Sequence, residues 1–91
     1  MKTIDIIFND EEYYDEFVSA LTDWCEEHDI PTDKVIISAM EDNVDDSDYF
    51  VITLNRTLFS YLMWKEYDRT LQYGPEGWNR WIESNYNCVI T

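Results

Sequence analysis

Apolar and polar residues alternate along this chain with a period that changes every dozen residues or so. Residues 3–8 (TIDIIF) are β-branched and apolar apart from Asp5, the pattern of a strand. From Glu11 to about His28 the period lengthens to that of a helix. At about 100° per residue, Tyr13, Tyr14, Phe17, Val18, Ala20, Leu21, Trp24, Cys25 and His28 share one arc of roughly 160°. Asn9 followed three residues later by Glu12 fits a capping box at its start, and the helix should end before Pro31. Two further strand patterns, Lys34 to Met40 (KVIISAM) and Tyr49 to Leu54 (YFVITL), flank an acidic loop from Glu41 to Asp48. A second helix is predicted from Arg56 to Tyr73, stopping at Gly74-Pro75. Trp78 to Tyr86 reads as a short third helix and Cys88 to Thr91 as a closing strand.

The order β-α-β-β-α-(α)-β predicts a single α+β domain over residues 1–91. Its antiparallel sheet would carry the helices on one face, compatible with a ferredoxin-like sandwich. Hydrophobic residues make up 45% of the chain and aromatic residues 16%, which sets it apart from acidic disordered segments. Apolar runs are far too short for a membrane span and no charged-then-apolar leader opens the chain, so a cytoplasmic protein is expected. If a phage encodes it, that is the host cytoplasm. Cys25 and Cys88 give no disulfide framework and read as reduced thiols.

Charge changes this ordinary picture. Six Lys and Arg stand against 20 Asp and Glu, a formal net charge of −14, where a small soluble domain carries about 2–8 in magnitude. Direct contact with nucleic acid or an anionic membrane surface is excluded on that sign alone. The excess is also localised. Residues 1–48 hold 16 acids and two bases, whereas residues 49–91 hold four of each. Within the first helix Glu11, Glu12, Asp15, Glu16, Asp23, Glu26 and Glu27 form the arc opposite the apolar one, with no Lys or Arg among them. Solvent-facing helices ordinarily mix signs, because opposite charges at i,i+4 stabilise and like charges destabilise by a few tenths of a kcal/mol. Here Glu12–Glu16 and Asp23–Glu27 are like pairs. Seven carboxylates over about 24 Å of helix give one charge per about 3.4 Å, the phosphate spacing of a single DNA strand. Glu41, Asp42, Asp45, Asp46 and Asp48 of the loop supply a second group.

No catalytic set emerges from the residue types. The only histidine, His28, sits at the centre of the apolar arc, with Cys25 about 60° away around the helix, and no base-and-orienter pattern surrounds a nucleophile. No His and Cys residues stand at zinc spacing. An EF-hand counted from Asp42 fails at its third position, Val44, and its sixth, Ser47. The sequence therefore predicts no enzyme, no cofactor and no metal. The second helix is apolar in nearly every direction, and Phe59, Met63 and Trp64, with Trp78 and Trp81 beyond it, are candidates for a homodimer interface or a partner anchor.

A short acidic chain with a base-free acidic helix, an acidic hairpin loop and abundant aromatics resembles the small DNA-mimic inhibitors of phages, which occupy the DNA-binding clefts of restriction enzymes, CRISPR effectors or similar host proteins. The resemblance lies in overall character and not in signature residues. It implies that the acids of 11–27 and 41–48 replace phosphates and face the Lys and Arg of a host nucleic-acid-binding protein. The competing expectations are an immunity or antitoxin protein neutralising a nuclease toxin, and an oligomeric domain whose acids serve solubility. Crowded carboxylates repel in any of these settings. The melting temperature should rise by about 5 °C between about 0.01 and 0.15 M salt, as the screening length falls from about 30 to 8 Å. A melting temperature that falls over that range in differential scanning fluorimetry would mean that the acids are engaged in internal ion pairs.

Overall fold

A computed structural model describes residues 2–44, 47–68 and 75–91. Its first strand, β1 (Thr3–Phe8), buries Ile4, Ile6 and Phe8 and turns the alternate residues away, as a period of two requires. Helix α1 (Glu11–Glu27) follows. Its cap is Asp10, whose side chain accepts a hydrogen bond from the Glu12 backbone N–H at 2.9 Å, so the expected Asn9–Glu12 capping box gives way to a cap one residue later. At the other end Ile30 N donates to Cys25 O at 2.9 Å and Asp29 N to Glu26 O at 3.2 Å, the paired bonds of a Schellman motif. Asp29 takes the left-handed conformation this motif demands, at φ 58°, a place usually given to glycine.

The chain then departs from the expected strand at Lys34. Thr32–Val35 forms one helical turn (α2) after Pro31, and β2 runs from Ile36 to Val44. A register shift between Ile36 and Ser38 marks a bulge. Strand β3 (Ser47–Asn55) pairs back antiparallel as far as Val44 with Ser47. Most of the stretch expected as an acidic loop is thus strand: Glu41 pairs with Phe50, Asp42 with Tyr49 and Asn43 with Asp48. Ladder hydrogen bonds satisfy the backbone of these polar residues better than an open loop would. Asp45 and Asp46 lie outside the described residues.

Helix α3 (Arg56–Met63) is capped by Asn55, whose side chain accepts from Leu58 N at 3.0 Å. It ends sooner than the expected Tyr73, passing into a π-helical turn at Trp64–Asp68; the rest of the predicted span, 69–74, lies outside the described residues. Pro75 was expected to follow the stop of that helix. It instead opens the next one, α4 (Pro75–Tyr86), where a missing N–H costs nothing. Asn87, at φ 48°, turns the chain into β4 (Cys88–Ile90).

The four strands form one sheet in the order β2-β3-β1-β4 with every neighbouring pair antiparallel. It follows that β1 and β2 run parallel with β3 between them, and that β3 and β4 run parallel with β1 between them. Two interlocked split β-α-β units of this kind are the connectivity of a ferredoxin-like α+β sandwich. The sheet residues packed in the core, Ile4, Ile6, Phe8, Phe50, Ile52, Leu54 and Cys88, share one face. Against it lie Phe17, Leu21 and Cys25 of α1, Phe59, Leu62 and Met63 of α3, and Trp78 and Ile82 of α4.

Phe17 is the centre of this core. Its ring lies 5.4 Å from Phe8, 6.4 Å from Trp24, 6.2 Å from Phe59 and 5.3 Å from Tyr86, joining β1, α1, α3 and α4. Edge and tilted contacts of this kind add to simple area burial. Phe17→Ala should destabilise the fold by about 3–5 kcal/mol in urea denaturation. Asp29→Gly should stabilise it by about 1 kcal/mol, because glycine takes a positive φ without steric cost and the change removes an acid from the negative end of α1. A destabilising Asp29→Gly would show that the Asp29 side chain holds the turn.

Candidate functional site

Burying Phe17, Leu21 and Cys25 at i, i+4 and i+8 fixes which way α1 faces. Its seven carboxylates, Glu11, Glu12, Asp15, Glu16, Asp23, Glu26 and Glu27, are all exposed. Among the described residues the one ion pair is His28 with Glu66, so no described Lys or Arg lies within pairing distance of the helix acids. The helix dipole favours Glu11 and Glu12 in the first turn, but it disfavours Glu26 and Glu27 in the last, where no base offsets them.

The surface extends beyond α1 at both ends. Near its N-terminus the Tyr14 ring packs 5.1 Å from Phe50, and Phe50 is the cross-strand partner of Glu41. Residues paired across strands share a face, so Glu41 and Asp48 project to the side of the sheet that carries α1, whereas Asp42, paired with Tyr49, projects to the other. All three are exposed. The hairpin acids are therefore divided by the pleat, as a loop would not divide them. Near the C-terminus Glu66 of the π turn meets the end of α1, and its Oε1 lies 2.7 Å from His28 Nε2. Donor atoms of Glu27, His28 and Glu66 fall within 4.8 Å of one another. One imidazole nitrogen and two carboxylate oxygens are donor types that a divalent cation takes, but the short hydrogen bond already accounts for two of the three. Glu66 was not among the expected site residues; no sequence period could bring it to a helix that ends 39 positions earlier.

The expected aromatic anchors fare differently. Phe59 and Met63 are fully buried and Trp78 nearly so, which makes them core residues with nothing to offer a partner. The helix that looks apolar all round buries one face against the sheet, α1 and α4, where Phe59 meets the rings of both Phe17 and Trp78, while Tyr61 stays exposed. Trp81 is half-buried against Trp24, 6.1 Å between rings. Trp64 alone of the five stands out, 51% exposed. It stacks beside Tyr61 at 6.2 Å, with Lys65 Nζ 4.6 Å over its ring. Trp64 stands two residues before Glu66 along the same segment.

Elsewhere a cavity of about 350 Å³ opens between β1, α3, α4 and β4, with Arg56, Ser60 and Asn79 in its wall. No histidine, cysteine, Asp or Glu side chain is among the described residues that line it, so the hydroxyls of Thr3, Ser60 and Thr91 have no such side chain beside them there to act as a base. No described helix is long and apolar enough to cross a membrane. No protein-family model, curated protein or solved structure matches the chain.

The two thiols lie in the interior. Burial pushes the Cys25 thiol up, with a side-chain hydrogen bond with Thr32 pulling it partway back. Burial, with the nearby Glu83 carboxylate, raises Cys88 from an ordinary 9.0 to about 12. Burial likewise raises Tyr14 and Tyr86, assisted by the charges of Asp15 and of Glu16 respectively. All four hold their protons more tightly folded than unfolded, so the stability they contribute is complete below their ordinary values. For Cys88 it is lost as pH rises from about 9 to about 12. Unfolding free energy in urea should therefore fall steadily above about pH 9. Neither thiol should react with a maleimide at pH 7 until denaturant is added. Rapid labelling of the native protein would contradict the buried placement.

Proposed function

We propose that this protein is an inhibitor that mimics DNA: its acidic surface occupies the basic, nucleic-acid-binding cleft of a host defence protein such as a restriction or CRISPR nuclease. The observation that carries the reading is the base-free row of seven exposed carboxylates on α1, continued on the same side of the sheet by Glu41 and Asp48 and at the other end by Glu66. A surface that served solubility alone would interleave signs and relieve the i,i+4 repulsion. Here the chain keeps like charges together and places acids even at the end of the helix where the dipole opposes them. A row at phosphate spacing would be steered to a cationic groove by long-range attraction and would compete there with DNA. The protein's own chemistry in this role is binding, with no bond made or broken.

A second reading, an immunity or antitoxin protein bound to one nuclease toxin, draws support from Trp64. An exposed Trp beside Tyr61 and next to Glu66 is the composition of an energetic hot spot, which a partner of fixed shape would use more than a general DNA mimic. Both readings place the protein in the cytoplasm, against a basic nucleic-acid-binding protein.

Capture of host proteins on immobilised chain at low salt, followed by elution with duplex DNA, tests the first reading. It expects at least one DNA-binding nuclease or effector to be retained and displaced by DNA. The quadruple variant Glu12→Lys, Glu16→Lys, Asp23→Lys and Glu27→Lys should lose that binding by at least a hundredfold while keeping its circular dichroism spectrum. Trp64→Ala should weaken a DNA-mimic contact only a few-fold, but an immunity-type contact by about 2 kcal/mol or more. Retention unaffected by the quadruple variant would overturn the proposal.

A further inference from the structure

The helices cover one face of the sheet, and the other carries a pattern of its own. Cross-strand pairing sets Met40 opposite Val51, Val51 opposite Ile7, and Ile7 opposite Val89. Paired residues share a face, so these four side chains form an unbroken apolar row across β2, β3, β1 and β4. They lie on the side turned away from the core, where Met40 is 59% and Val89 53% exposed. On one flank runs a polar row of Ser38, Thr53, Asp5 and Thr91. On the other stand Asp42 and Tyr49. An antiparallel sheet with a solvated outer face ordinarily shows polar residues there, and an apolar row in register on all four strands is a departure from that.

We infer that this face is the interface of a homodimer, in which the row Met40–Val51–Ile7–Val89 of one copy packs on the same row of a second. The charge distribution selects this occupant. In a chain of net charge −14, the paired positions of this face carry only two acids, Asp5 and Asp42, and the Asp5 carboxylate already accepts from Thr53 Oγ1 at 2.7 Å. A basic partner would find little here to attract it and would go to the α1 side. A second copy meets a surface as uncharged as its own, and a uniform apolar row is self-complementary, as a two-fold interface requires.

The geometry also keeps the acidic helices apart. With sheets packed about 10 Å apart and each α1 beyond its own sheet, the two acidic rows stand roughly 30 Å from each other. That is several screening lengths at 0.15 M salt but only about one at 0.01 M. Four strands about 4.8 Å apart and about six residues long offer a flat face of roughly 20 by 20 Å. Two such faces together bury roughly 800 Å², below the about 1,000 Å² of a stable specific interface and in the range of weak, transient contacts. The dimer is therefore weak, dissociating in the micromolar range, and it strengthens with salt. It would display one acidic row on each outer side. The inference does not depend on what those rows bind.

Sedimentation equilibrium of the full chain at about 0.01 and about 0.15 M salt tests it. The expected result is a monomer–dimer equilibrium whose association constant rises at least tenfold with salt. The neutral double variant Met40→Gln/Val89→Thr changes two exposed side chains at the sheet edges, so the monomer should keep its melting temperature while dimerisation weakens at least tenfold. Ser84→Asp, which adds a charge on α4 away from the face, should leave the association constant within about twofold. A chain that stays monomeric at both salt concentrations up to about 0.5 mM would overturn the inference. A dimer insensitive to Met40→Gln/Val89→Thr would do so as well, by placing the contact elsewhere.

Discussion

The packing of Phe17 against β1, α3 and α4 is the interaction on which the other features rest. Alone, α1 is a poor helix. It places like charges at i,i+4 three times, at Glu11–Asp15, Glu12–Glu16 and Asp23–Glu27, and sets two acids against the dipole in its last turn. Those penalties together are on the order of 1–2 kcal/mol. Burying Phe17, Leu21 and Cys25 is worth several kcal/mol before any aromatic geometry is counted. The apolar stripe thus outweighs the acidic one, and the helix is held in the orientation that exposes every carboxylate.

From that orientation the rest of the acidic surface follows. Tyr14, one turn before Phe17 and on the same side, reaches Phe50 and so brings the β2–β3 hairpin to the N-terminal end of α1. His28, just past the last turn, is held by Glu66. Aromatic contacts at one end and a hydrogen bond at the other bring these segments to the two ends of the same helix. Two of the described cations are engaged away from that helix: Lys65 lies over Trp64 and Tyr61, and Arg56 lines a cavity at the β4 side.

Much of this was legible in the residues. The alternation of Thr3–Phe8, the two arcs of 11–28 and the strand pattern of 49–54 each appear where the periods place them, because one side of every such element is buried and the other is not. Where the fold departs from these patterns, the causes are physical. Asp10 caps α1 in place of Asn9, since neighbouring Asx residues compete for one position and only backbone geometry selects between them. Pro75 reads equally well after a helix or at its first turn. The acids of 41–48 look like loop because charge is rare in strands, yet the ladder extends through them to Val44 and Ser47.

The sequence by itself determined the sign, the density and the one-sidedness of the acidic helix, for these depend only on residue identity and the 3.6-residue period. It also determined the α+β order of elements. The tertiary structure decided which surfaces are free. It buried Phe59, Met63 and Trp78 and left Trp64 outside, divided the hairpin acids between the two sides of the sheet, brought Glu66 to the end of α1, and aligned Met40, Val51, Ile7 and Val89 on the face opposite the described helices. Each of those outcomes turns on strand register or on contact between distant segments. Such relations are fixed by packing in three dimensions and leave no period in the chain.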